Sequence, residues 1–324
     1  MAHLPRGIFK NNPQLFMPKT SANLLLLFAG AVWGMGFVAQ RTAMDDIGPM
    51  AFLAFRFFVA SIAVLPLVFK ELKPADKRVT TSNVRGFFWV GTAFFLAMAM
   101  QQVGLLATTI TNAGFLTALY VIIVPLILFF ALGERQPTII WPATALALVG
   151  IFLLSGGEVA RLTWGDWLII LGAFFAALQI ILTKKIVDAT GLPVTMAFTQ
   201  FFICGVFGTA SYFLAPLFGL AEITVTYETF LAALPEILYA GIFSGALAFT
   251  IQAVAQRYTS ASSAAILLSS ESLFAAIFAT LLLGESLGFI GYIGCALIFT
   301  AILAVELIPA RKQQKSQLPS RNQL

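Results

Sequence analysis

The 324-residue chain is short of charge: only 10% of it is Asp, Glu, Lys or Arg, against about 25% in soluble domains. It has a single histidine, His3, and two cysteines, Cys204 and Cys295, each inside an apolar run. These shortages exclude a His/Cys metal site and make the cysteines small hydrophobes rather than a disulfide. There is no GxxxxGK[ST] loop, so the chain does not hydrolyse ATP. No convergent set of nucleophile, base and metal ligands is visible either, which argues against an enzyme. What the chain has in excess is apolar surface: 60% hydrophobic residues and a mean hydropathy of +0.93. No soluble core of this size hides that much, so the protein is expected to be integral to a lipid bilayer. The net charge of +5 does not point to nucleic acid, because the basic residues sit in short loops and tails between apolar runs.

A helix needs about 20 apolar residues to cross a bilayer. Ten stretches qualify: about 21–40, 49–69, 84–106, 110–131, 138–155, 165–186, 193–215, 230–254, 261–283 and 286–307. Continuous apolarity, as over 122–132, excludes barrel strands, which alternate, and lipid requires such a segment to satisfy its backbone internally as a helix. Twenty rather polar residues precede the first run and no small-x-small site follows it, so that run reads as a retained anchor rather than a cleaved leader.

Of the 19 Lys and Arg, only Arg41 and Arg161 fall on one side of this arrangement, with Arg56 inside a span. The positive-inside rule then puts both termini in the cytoplasm. The expected organisation is a tail over 1–20, a five-helix unit over 21–155, a second over 165–307 and a tail over 308–324.

The two units are related. A shift of 151 residues lays spans 3–5 on spans 8–10 without a gap: Gln101 meets Gln252, Thr108 meets Thr259, Thr111 meets Ser262, and Gly133-Glu134 meets Gly284-Glu285. In spans 2 and 7, Ala54-Phe55-Arg56-Phe57-Phe58 faces Phe198-Thr199-Gln200-Phe201-Phe202. Five helices per unit is an odd number, so the second unit enters the membrane from the opposite side. Inverted repeats of this kind build many secondary transporters, with the substrate site between the halves near the midplane.

At this point the chain resembles the drug/metabolite transporter superfamily, in its ten-helix branch with two EamA-type domains. The resemblance lies in 27–38 with Trp33-Gly34, in 52–60 with Arg56-Phe57, in the stretch Gly104–Glu134, and in its echo Arg257–Glu285. It implies transport of a small organic metabolite without ATP. Many members carry Glu-Pro where this chain has Glu271-Ser272, which leaves a helix kink at that point open.

Ionisable residues inside spans are costly and are functional candidates by default. Glu271, near the middle of span 9, and Arg56, in the outer half of span 2, qualify best, with mutual pairing as the structural alternative. Together they suit a zwitterion. Uncharged polar residues form a second tier, of which Gln101, Asn112, Tyr120, Gln252 and Ser269 are site candidates. Trp33 is either a wall for the solute or a packing residue beside Gly30, Gly34 and Gly36. Glu134 and Glu285 are expected to cap the helices that follow them, and Gly288, Gly291 and Gly294 to allow close backbone approach.

The expected function is secondary active transport by alternating access across the inner (plasma) membrane. The solute is a small metabolite such as an amino acid or amine, moved outward rather than inward. Protons are the candidate coupling ion. A channel or facilitator without ion coupling is the alternative. No cofactor, metal or nucleic acid is expected, and the assembly is a monomer or homodimer.

Overall fold

A computed structural model describes residues 17–74, 79–108, 110–154, 162–219, 223–283 and 288–308. The described residues form ten helical spans. These are α1 (Lys19–Ala43), α2 (Pro49–Leu72), α3 (Thr81–Gly104), α4 (Ile110–Thr117, Tyr120–Leu126 and Ile127–Ala131), and α5 (Ile140–Leu154). They continue with α6 (Trp164–Thr190), α7 (Pro193–Leu214), α8 (Tyr227–Ala232, Leu234–Leu238, Tyr239–Phe249 and Thr250–Ala255), α9 (Ala261–Leu268 and Ser270–Leu283) and α10 (Phe289–Leu307). Nine are long and apolar enough to cross a bilayer, and α5 has 15 residues. The protein is a multi-pass, all-α membrane protein.

Local chemistry sets the helix ends. Pro49 and Pro193 open α2 and α7, where a missing N–H costs nothing. Thr163 and Asp166 form a reciprocal capping box at the start of α6, and Gly191 ends that helix with φ 66°. The carboxylate of Glu71, in the last turn of α2, accepts hydrogen bonds from the Val194 and Thr195 amides at 3.1 and 2.7 Å. It thereby satisfies the exposed N-terminus of α7 and ties α2 to it.

Helix packing respects the internal repeat. α3 packs on α6 as α8 packs on α1; α3 meets α7 as α8 meets α2; α4 lies on α6 as α9 lies on α1. α2 and α7, and likewise α5 and α10, pack against their own counterparts, as elements beside a pseudo-twofold axis must. Aligned residues meet there: Phe57 stacks on Phe201 with ring centroids 6.0 Å apart. Gly150 and Gly294 face each other where α5 crosses α10. A Cβ on Gly294 would stand 2.5 Å from the Gly150 carbonyl oxygen, and one on Gly150 would stand 2.8 Å from the Gly294 carbonyl oxygen. With no hydrophobic drive between helices in lipid, such close approach is what holds a bundle together.

Two expectations need correction. Glu134 does not serve α5, which starts six residues later; its carboxylate pairs with Lys185 on α6 at 2.9 Å. The tight turn at Gly133 (φ 65°) directs the chain toward α6 there. Gly288 does not mediate close packing, because a Cβ there would meet nothing within 4 Å; it is the capping residue of α10. Glu285 lies outside the described residues.

Two substitutions separate the glycines. Gly294→Val forces apart the α5 and α10 backbones and is expected to cost about 1–3 kcal/mol. Gly288→Ser, at an open helix cap, is expected to stay within about 0.5 kcal/mol of wild type. Thermal unfolding in detergent measures both.

Candidate functional site

The site begins with two broken helices. α4 breaks between Thr117 and Tyr120, and α9 breaks at Ser269. The breaks fall at equivalent positions of the repeat, and neither contains a proline. At the α9 break the Ser269 hydroxyl donates to the Ile266 carbonyl at 2.8 Å, so the freed backbone acceptor keeps a partner. The second piece of each helix starts at the centre of the bundle, with Tyr120 leading on α4 and Ser270-Glu271 on α9. Tyr120 and Glu271 are the same position in the two repeats, and they touch: the Tyr120 hydroxyl donates to Glu271 Oε1 at 3.1 Å. Only 3% and 4% of these residues is exposed.

Glycines on α1 bring the broken α9 inward. A Cβ on Gly34 would lie 2.8 Å from the Glu271 carbonyl oxygen and 2.7 Å from the Ala275 nitrogen, and one on Gly30 would strike the Ser270 hydroxyl. Trp33 lies on the same helix and reaches α8. Its indole N–H donates to the Ser244 carbonyl at 3.0 Å, and its ring lies 4.4 Å from that of Phe249. Ser244 belongs to an eleven-residue π-helical stretch of α8, Tyr239–Phe249. Such widened turns concentrate at functional sites. Trp33 lines a cavity there.

That cavity, about 60 Å³, lies between the two halves. Six of the eight residues singled out from the sequence line it: Trp33, Arg56, Gln101, Tyr120, Gln252 and Glu271. Asn112 and Ser269 are outside its wall. The space admits a few water molecules at most.

Arg56 does not pair with Glu271. It is 3% exposed, yet its side chain meets no carboxylate among the described residues. The guanidinium lies 4.6 and 5.3 Å from the ring centroids of Phe57 and Phe52, and its Nη2 is 3.6 Å from Met98 Sδ. Its Nε is buried without a hydrogen-bond partner. Aromatic faces offset part of the cost of a buried cation, but the charge itself stands unneutralised. The Arg56 and Glu271 side chains thus offer one anion-seeking and one cation-seeking group to the same small space.

An amide chain runs off the cavity. Gln252 donates to Gln179 at 3.3 Å, and Gln179 donates to Gln200 and Thr183 at 3.1 Å each. Gln252 Oε1 remains unpartnered, an acceptor left for a ligand N–H or O–H. Gln101 is engaged by Thr117, at 2.9 Å. Sequence reasoning missed Gln40, Phe57, Phe94, Met98, Ser244 and Phe249 on the wall. In a chain with 32 phenylalanines nothing marks which of them face a cavity, and the π-helical stretch that turns Ser244 inward has no pattern to betray it.

The sequence profile of the EamA-like transporter family matches this chain twice, over residues 20–156 and 163–307. The chain belongs to that family. An uncharacterized transporter of Archaeoglobus fulgidus is 32% identical to it over 286 residues, spanning 88% of this chain and 86% of the relative. The uncharacterized transporter YwfM of Bacillus subtilis is 27% identical, spanning 91% and 96%. A crystal structure of a protein 14% identical superposes with a TM-score of 0.69, covering 89% of this transporter and 97% of that chain, which bears on the fold alone. As an EamA-like transporter the protein carries a small molecule across a lipid bilayer.

A double-mutant cycle of Tyr120→Phe with Glu271→Gln reads the central contact directly. The expected coupling is about 0.6–1.7 kcal/mol, the range for hydrogen bonds between membrane helices, measured as unfolding free energy in detergent.

Proposed function

We propose that this protein is a proton-coupled secondary transporter that exports a small zwitterionic or amine-bearing metabolite, an amino acid being the leading candidate. The observation that carries the reading is the pairing of Glu271 with Tyr120 at two helix breaks, in one cavity with an unneutralised Arg56. A bare carboxylate or guanidinium between lipid-surrounded helices is costly. A solute with a carboxylate for Arg56 and an ammonium for Glu271 removes both costs at once. When the solute leaves, a proton on Glu271 serves in place of the ammonium, so the cavity closes without a bare anion. Solute and proton thereby exchange, giving antiport. Apolar and aromatic walls with few polar contacts suit a small amphipathic molecule.

In this reading the units 21–155 and 165–307 rock against each other and expose the cavity alternately to either side. Between the cavity and the basic end of the bundle lie Val124, Ile180, Ile181 and Ala255, packed in one apolar cluster, which supports a gate closed at that end. Both termini and the basic end face the cytoplasm, and the protein lies in the plasma membrane. The small cavity weighs against an open channel.

Liposomes test the coupling. Glu271→Gln keeps size and hydrogen bonding but cannot titrate; it is expected to lose transport driven by a pH gradient and to retain solute exchange. Gradient-driven transport at the wild-type rate with unchanged pH dependence removes Glu271 from the role. Arg56→Gln is expected to raise KM for an amino acid about tenfold or more, from the loss of a charge-assisted contact of about 1.5–3 kcal/mol. An unchanged KM removes Arg56 as the carboxylate partner. Externally added thiol reagent should leave a cysteine at position 70 unlabelled in intact cells.

A further inference from the structure

A second cavity, open and about 580 Å³, lies at the basic end of the bundle where the two halves meet. Five cations line it. Lys19 comes from the start of α1, Arg135 from the α4–α5 connection, Lys184 and Lys185 from the last turns of α6, and Arg257 from the α8–α9 connection. Two acids share the wall and both are already engaged: Glu134 with Lys185 and Asp188 with Lys184, each at 2.9 Å. Lys184 also donates to the Arg257 carbonyl at 3.2 Å. Lys19, Arg135 and Arg257 pair with no carboxylate among the described residues. The Arg257 guanidinium sits 6.0 Å from the Tyr258 ring, a contact that leaves its charge in place.

The same wall holds the start of α9. Ser260 accepts a hydrogen bond from the Ser263 amide at 3.1 Å as the helix cap, and Ser260, Ala261 and Ser263 all line the cavity. Beside them Thr259, 4% exposed, has a hydroxyl with no partner. The bias of basic residues toward one membrane face explains the sign of this region. It does not explain why cations from four separate segments converge on one cavity while its only acids are consumed by two lysines.

We propose that this cavity binds a phosphate-bearing anion, and that the bound anion bridges the two halves of the bundle. The chemistry is specific. Arginine forks match phosphate oxygens bidentately, a helix start adds backbone N–H donors and a favourable dipole, and serine and threonine hydroxyls supply neutral donors. Three unpaired cations fit a group that carries one or two full negative charges on several oxygens. The groups come from both halves: Lys19 and Arg135 from the first, Lys184, Lys185 and Arg257 from the second. Two sources offer this chemistry, a phospholipid headgroup and a soluble phosphate. The inference stands on the cavity alone and does not depend on the solute carried or on proton coupling.

The test is thermal unfolding of the purified full-length protein in a non-ionic detergent. It is titrated in separate arms with inorganic phosphate and with phosphatidylglycerol in mixed micelles, against potassium chloride at equal ionic strength. Wild type is expected to gain about 2–6 °C in a saturable manner in at least one arm. A rise with phosphate identifies a soluble ligand, and a rise only with phosphatidylglycerol identifies a headgroup. Arg135→Gln with Arg257→Gln is expected to lose more than half of the rise, whereas Lys70→Gln, a basic residue outside the cavity wall, keeps it. Should the double variant not purify, Lys19→Gln, on an exposed side chain, is expected to raise the half-saturating concentration several-fold. No saturable rise in either arm beyond the chloride control, or a rise equally large in the cavity variants, overturns the proposal.

Discussion

The hydrogen bond between Tyr120 and Glu271 is the point from which the rest of the molecule is organised. In lipid every backbone group must be satisfied within the protein, so a helix breaks only where something replaces its ladder. Here α4 and α9 both break, at matching positions, and the two side chains that start the next segments meet over 3.1 Å. The bond joins the halves at their common axis. It also marks where a polar cavity forms, walled by the counterpart helices α3 and α8 together with α1 and α6.

Glycine makes that arrangement reachable. Gly30 and Gly34 allow α1 to lie against the backbone of α9 beside Glu271, and Gly241 brings α8 as close to α2, where a Cβ would stand 2.8 Å from the Arg56 carbonyl oxygen. The small residues are thus not distributed for packing alone. They set the two charged residues on the wall of one space, about 60 Å³, too small for a drug-sized molecule. Phe57, Phe94, Phe201 and Phe249 interlock beside it, Phe57 stacked on Phe201 and the other pairs edge to face, with centroid separations from 4.7 to 6.3 Å.

The spans were legible because lipid imposes length and apolarity on them; the limits of α1, α3 and α10 fall within a few residues of those read from hydropathy. The repeat was legible because Gln101, Gln252 and their neighbours kept the same spacing after duplication. Glu271 and Arg56 stood out because charge within a span is rare. The rest was hidden for physical reasons. A phenylalanine at a cavity and one facing lipid look alike in sequence. The π-helical stretch of α8, which packs against α1 and α2, carries no residue pattern that marks it. Glu134 looked like a helix cap because its neighbours do; only the three-dimensional path of the Gly133 turn brings Lys185 within its reach. The missing proline after Glu271 left a kink there open; the helix does break, at Ser269, whose hydroxyl donates to the Ile266 carbonyl.

A residue off a twofold axis has its counterpart elsewhere, and the two diverge freely. A residue on the axis faces its own counterpart. Had the duplicated position stayed identical, two carboxyls would stand in hydrogen-bond contact and could not both ionise, or two phenols would stand there with no charge at all. Tyrosine on α4 and glutamate on α9 break that symmetry where the two halves meet. With the acid fixed on one half and Arg56 without a charged counterpart at Gln200, the cavity has a built-in polarity.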